Sequence, residues 1–267
     1  MKYRALAVLP LLLALVLAVT SLSAGSNMVT ALRVGDELGK VLSVAGALAA
    51  AMAFERGEYL NRAWLIYGSC YVLLLVNDGL RISGVGGESM VLARGLIVAA
   101  ANGCSVTGTW MLARAWSVAG LDEEGSDRGR RRLMFAGAAV LALAITGWLL
   151  VGDVRALIAG DTQALISIAS DLGDTFTLAL VAPVMHTALA MRGGLLRWPW
   201  GLLTASGVAW IAYDASSGLV DTRHLGPGLA LVASESLRVM ANGWVFSAGV
   251  AQRLALTPDE PPSPLAP

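Results

Sequence analysis

Charge is scarce in this chain: Asp, Glu, Lys and Arg make up 14% of its 267 residues, where soluble domains carry roughly a quarter. Hydrophobic residues make up 56%, and they come in runs of about 20, the length that crosses a bilayer. Soluble enzyme folds are excluded on that ground. The acidic and basic residues balance to a net charge of zero, and no exposed basic stripe stands out. The electrostatic footprint of a nucleic-acid partner is therefore missing.

The residues that build most metal and cofactor centres are equally few. There are two histidines, His186 inside an apolar run and His224 between two runs, too few for a histidine-rich metal centre or a haem held between facing helices. No metal or cofactor is expected. Cys70 and Cys104 both fall within apolar runs, form no CxxC pair and read as free thiols. Lys2 and Lys40 are the only lysines among nineteen basic residues, which excludes a retinal Schiff base in the last helix. Gly84, Gly86 and Gly87 are followed by no Gly-Lys-Ser or Gly-Lys-Thr, so that segment reads as a turn and not a phosphate loop. Neither Gly-x-Ser-x-Gly nor His-Glu-x-x-His occurs. Glu235-Ser-Leu-Arg238 lacks the histidines of an intramembrane protease. Nothing here marks an enzyme.

What is present is a series of eight apolar segments, near 5–24, 34–54, 63–81, 90–113, 133–152, 164–191, 199–219 and 228–252. They are continuously apolar and do not alternate as barrel strands do, so helices are expected. The fold class that follows is an all-α polytopic membrane protein with eight transmembrane helices. Twelve of the nineteen basic residues fall in the segments that are internal when the N-terminus is internal. That asymmetry places both termini in the cytoplasm, and the preference for arginine over lysine suggests a bacterial inner membrane. Met1 to Ala24 also has the basic start and apolar run of a signal peptide. Leu22 at the −3 position is too large for a good cleavage site, so retention as the first span is favoured.

Sliding the chain on itself by 136 residues pairs Arg56 with Arg192, Gly57 with Gly193, Trp64 with Trp200 and Asp78 with Asp214. With small shifts, Glu37-Leu38-Gly39 pairs with Asp171-Leu172-Gly173, and Ala101-Asn102-Gly103 with Ala241-Asn242-Gly243. Shared Leu and Ala mean little between apolar segments, but Arg, Trp, Asp and Asn in one order do. Two parallel four-helix repeats are expected, 1–118 and 133–256, related about an axis along the membrane normal. A charged cytoplasmic linker, 119–132, joins them, and a Pro-rich tail, 257–267, is too polar to pack.

Charged residues inside apolar helices are costly and normally face a bundle interior, a wet cavity or an opposite charge. Counting from the inner ends, Asn102 and Asn242 lie roughly 16 to 18 Å deep, and Lys40, Asp78, Asp214 and Arg238 about 22 to 25 Å. Glu37, Arg94, Asp171, Asp174 and Glu235 come near the outer edge. Helical spacing pairs Asp36 and Glu37 with Lys40, and Glu235 with Arg238, while Arg81 stands one turn from Asp78. The expectation is an outward-open polar cavity walled by Glu37, Lys40, Asp78, Asp171, Asp174, Asp214, Glu235 and Arg238, with Asn102 and Asn242 at its floor. Asp78 and Asp214, equivalent in the repeat, are the expected anionic ligands of a small polar or cationic solute that is bound and transported. A sensory or scaffold module acting through a separate membrane or cytoplasmic protein is the alternative. The small residues from Ser43 to Ala53 read as a close-packing surface. Pro183 reads as a packing kink.

Overall fold

The computed structural model describes residues 2–84, 87–118, 128–190, 194–220 and 227–257. Residues 119–127 of the charged linker, His224, the 258–267 tail and the side chains of Pro183 and His186 lie outside the described residues. The chain is all-helical, with no strand among the described residues. Its α-helices are α1 (Lys2–Ser23), α2 (Met28–Ala51), α3 (Tyr59–Ile82), α4 (Glu88–Val118), α5 (Arg128–Ile158), α6 (Ala164–Ala190), α7 (Arg197–Val220) and α8 (Pro227–Leu256), with a short 3-10 turn over Gly25–Asn27. Each expected apolar segment coincides with one of them.

Among the described residues α1, α3 and the Ser89–Ala115 part of α4 are long and apolar enough to cross a membrane. A fourth candidate is α5, taken as the two segments Arg132–Ala144 and Leu149–Ile158, which meet at 57°. These helices suit a multi-pass membrane protein.

Polarity in α2 is inverted relative to a water-soluble helix. Asp36 and Lys40 are each 2% exposed and Ser43 is fully buried, whereas Val34, Leu38 and Val41 are more than half exposed. In water such an arrangement would waste apolar burial and strip charges of their hydration. Against hydrocarbon it puts the apolar side chains outward and the charges where they find partners.

Six helices form the inner bundle: α2 packs against α3 and α8, α4 against α3 and α6, and α7 against α6 and α8. The outer two are attached differently. α1 lies mainly along α8, where Trp244 Nε1 donates to the Ala7 carbonyl at 3.1 Å and Pro10 seats against Gly243. Tyr3 stacks on Trp198 with ring centres 5.8 Å apart. α5 lies along α6. The main core gathers at one end, around Trp64, Tyr67 and Tyr71 of α3, Trp200 and Leu203 of α7, and the alanines of α2 and α8.

Small residues set the closest crossings. At the α2–α8 contact, a Cβ on Gly46 would run into the Phe246 backbone, and one on Gly249 into the Gly46 carbonyl. Further along the same pair, a Cβ on Gly39 would come 3.1 Å from Asn242. The α4–α6 pair repeats this contact, with Gly173 against Asn102. The turn after α2 is held by Asn61, whose Nδ2 donates to the Ala51 carbonyl at 2.9 Å and so satisfies a helix-end acceptor.

Candidate functional site

Helix periodicity places Asp36, Glu37 and Lys40 on one buried stretch of α2. The Lys40 ammonium donates to Asp36 Oδ2 at 2.7 Å and lies 3.5 Å from Glu37 Oε1. It also pairs with Asp78 on α3. Asp78 in turn meets Arg81 Nη2 at 3.1 Å, and Asp36 meets Arg238 of α8. Arg238 also contacts Glu235 at 3.2 Å, and its guanidinium lies over the Tyr213 ring, 5.4 Å from the centre. The carboxyl oxygens of Asp36, Glu37 and Asp78 lie close enough together to surround one cation. In this fold that cation is the ammonium of Lys40.

The short-range pairs expected from helix spacing are all present. The links from Lys40 to Asp78 and from Arg238 to Asp36 add what spacing along one helix cannot show, a network that ties α2 to both α3 and α8.

Beside this network lies a cavity of about 480 Å³, within the size range of small-molecule sites. All six inner helices line it, and α1 and α5 do not. Lys40, Asp78, Arg81 and Arg238 form part of its wall, and Asp174 of α6 another part. Tyr67, Tyr71, Trp210 and Tyr213 supply aromatic surface; Asn77, Asn102, Ser105, Ser170 and Thr177 supply uncharged polar groups. Ser105 and Thr177 hydroxyls lie 3.2 Å apart across the α4–α6 contact. Tyr67 and Tyr71 meet edge to face, with hydroxyls 3.3 Å apart.

The residues expected at the site are not all brought together. Asp78, Asp174, Arg238 and Asn102 line the cavity. Glu37, Glu235 and Asp214 stand behind it: the first two against Lys40 and Arg238, and the third, buried on α7, within hydrogen-bonding reach of Asp174. Asp171 is partly buried on α6, one turn from Asp174, and its backbone carbonyl accepts from Thr175 at 2.8 Å. Asn242 does not line the cavity. It is fully buried between α2 and α8, where Ser43 Oγ lies 3.1 Å from its carbonyl oxygen and 3.3 Å from Oδ1. Asn102 instead donates from Nδ2 to the Ala169 carbonyl of α6 at 2.8 Å while keeping a face on the cavity.

Several cavity residues escape a reading based on depth and charge. Asn77 and Arg94 are joined across α3 and α4, the Arg94 Nε donating to Asn77 Oδ1 at 3.1 Å. Arg94 counts as an edge residue when depth is taken from its Cα, yet its long side chain reaches the wall. The tyrosines carry no charge and lie within apolar segments, so counting the depth of charges passes over them. Polar tips on one face of α3, at Tyr67, Tyr71, Asn77 and Asp78 with Leu74 between them, were the available signal.

No family model, curated protein or solved structure matches the chain.

Proposed function

We propose that this protein is an eight-span membrane protein, built from two parallel four-helix repeats, that binds and transports a small polar solute bearing a cationic group. The two halves are read as facing each other across the cavity about the approximate two-fold axis. The 136-residue offset that relates Asp78 to Asp214 also relates the linings of α3 and α7. Tyr67, Cys70, Tyr71, Leu74 and Asn77 correspond to Leu203, Ser206, Gly207, Trp210 and Tyr213, and all ten line the cavity. The Gly39–Asn242 and Gly173–Asn102 contacts are related in the same way.

The observation that carries the solute reading is a difference between the halves. Where the first half has Lys40 against Asp78, the second has Asp174 beside Asp214, because the alignment of Gly39 with Gly173 sets Lys40 opposite Asp174. The first half supplies its own ammonium to the aspartate. In the second half a carboxyl group takes that place and faces the cavity, which suits an ammonium arriving from outside. Two carboxyl groups within hydrogen-bonding reach of each other can share a proton or a cation. A proton given up when the cation enters would couple binding to proton movement.

Arg81 and Arg94, at the α3 and α4 ends that the charge pattern assigns to the outside, line the same cavity. Access is accordingly assigned to the outer face, in an inner membrane with both chain termini cytoplasmic.

A thermal-unfolding screen of the purified protein against primary amines tests the reading. A ligand of the folded state raises stability by about 2.7 kcal/mol at a hundred times its Kd. Stabilisation is expected to depend on amine concentration and to vanish in Asp174→Asn and Asp214→Asn. Parent-like shifts in both variants would remove these carboxyl groups from the site. No shift with any amine would return the choice to a sensory or scaffold module.

A further inference from the structure

Four cations line the cavity, and three of them are already committed to carboxylates: Lys40 to Asp36, Glu37 and Asp78, Arg81 to Asp78, and Arg238 to Asp36 and Glu235. Arg94 differs. Among the described residues it meets no carboxylate, and its one hydrogen bond runs from Nε to Asn77 Oδ1. That bond steadies the guanidinium plane and leaves both Nη groups without a protein acceptor among the described residues. A guanidinium presents its N–H groups as a rigid fork that fits a carboxylate through two parallel hydrogen bonds. Half-buried on the cavity wall, Arg94 is thus the lining cation whose charge no described carboxylate meets.

We propose that the solute is a zwitterion, an amine that also carries a carboxylate, and that Arg94 is the group that receives the carboxylate. The inference rests on the cationic-solute reading above and adds the second charge. Arg94 alone favours a monoanion, because each of the other cations of the wall is already paired with acids of the protein. An ammonium near Asp174 and a carboxylate at Arg94 would each meet an opposite charge on the wall. The tyrosines and Trp210 on the wall then enclose the apolar chain that joins the two charged ends.

The test is titration of the full-length protein in lipid nanodiscs with butylamine, butyrate and 4-aminobutyrate, with glycine and 6-aminohexanoate added to vary the distance between charges. At least one amino acid is expected to bind about tenfold or more tightly than butylamine, as a charged hydrogen-bonded contact warrants. Arg94→Gln should abolish the advantage of that amino acid over butylamine, the ratio of the two affinities falling to about one or below. Arg94→Lys, which keeps the charge but not the fork, should fall between. Equal binding of butylamine and every amino acid would overturn the zwitterion while leaving the cationic solute standing. Butyrate binding as tightly as any amino acid, with Asp174→Asn without effect, would overturn both. The comparison of ligands on the parent protein decides the matter even if an Arg94 variant does not fold.

Discussion

Lys40 is the most exacting single residue in the bundle. It is buried, and its ammonium holds three acidic side chains on two helices. Bringing four ionisable groups out of water is repaid only by their close mutual contacts, and removing one partner of such a group strands the others. Lys40→Met should therefore cost about 3–5 kcal/mol of stability, read by denaturant or thermal unfolding in detergent. Adding Asp78→Asn to that variant should recover part of the loss, because the two residues share one interaction. A Lys40→Met protein as stable as the parent would show that the acids are held by Arg81 and Arg238 alone. The contrast with Arg94 is instructive: both are cations on the same cavity wall, but one is saturated by the protein and the other is held by an amide.

At the scale of the helices, stability depends on how closely α2 and α8 approach. A methyl group on Gly249 meets the Gly46 backbone, which cannot swing aside as a side chain can. Gly249→Ala is expected to destabilise by at least about 1–3 kcal/mol through overpacking. Gly103→Ala, on an exposed face of α4 with nothing within 4 Å, should be neutral or stabilise by up to about 1 kcal/mol through helix propensity. Thermal unfolding of the two variants side by side checks the difference, and equal effects would deny the close crossing. The same crossing explains what the sequence does and does not reveal. Length and continuous apolarity located all eight helices, with α5 reaching a few residues further at both ends than its apolar segment. Spacing along a helix revealed Asp36–Lys40 and Glu235–Arg238. It did not reveal Lys40–Asp78 or Arg238–Asp36, because periodicity orients a helix face without choosing the neighbour it meets. Nor did it separate Asn102 from Asn242: the two match in sequence and each packs on a glycine, but Asn242 is fully buried beside Ser43 while Asn102 keeps a face on the cavity.

For the whole molecule, the inverted polarity of α2 and the long apolar helices α1, α3 and α4 suit a bilayer around the bundle, so topology is the property to test. α3 has 24 residues, about 36 Å at 1.5 Å per residue, enough to cross a hydrocarbon core of about 30 Å. Glu55 precedes it and Ser83 follows it, both exposed, so a spanning α3 puts them on opposite faces. With the arginine-rich segments inside, Ser83→Cys should react with a membrane-impermeant maleimide on intact bacterial spheroplasts. Glu55→Cys should react only after permeabilisation. Cys70 is buried and Cys104 partly so, and labelling of the parent protein sets the background. Reaction of both sites from outside would mean that α3 does not cross. Reaction of Glu55→Cys alone would invert the bundle and turn the Arg81 and Arg94 end of the cavity toward the cytoplasm. The proposed solute site would then open to the cell interior, even though every contact in it stayed the same.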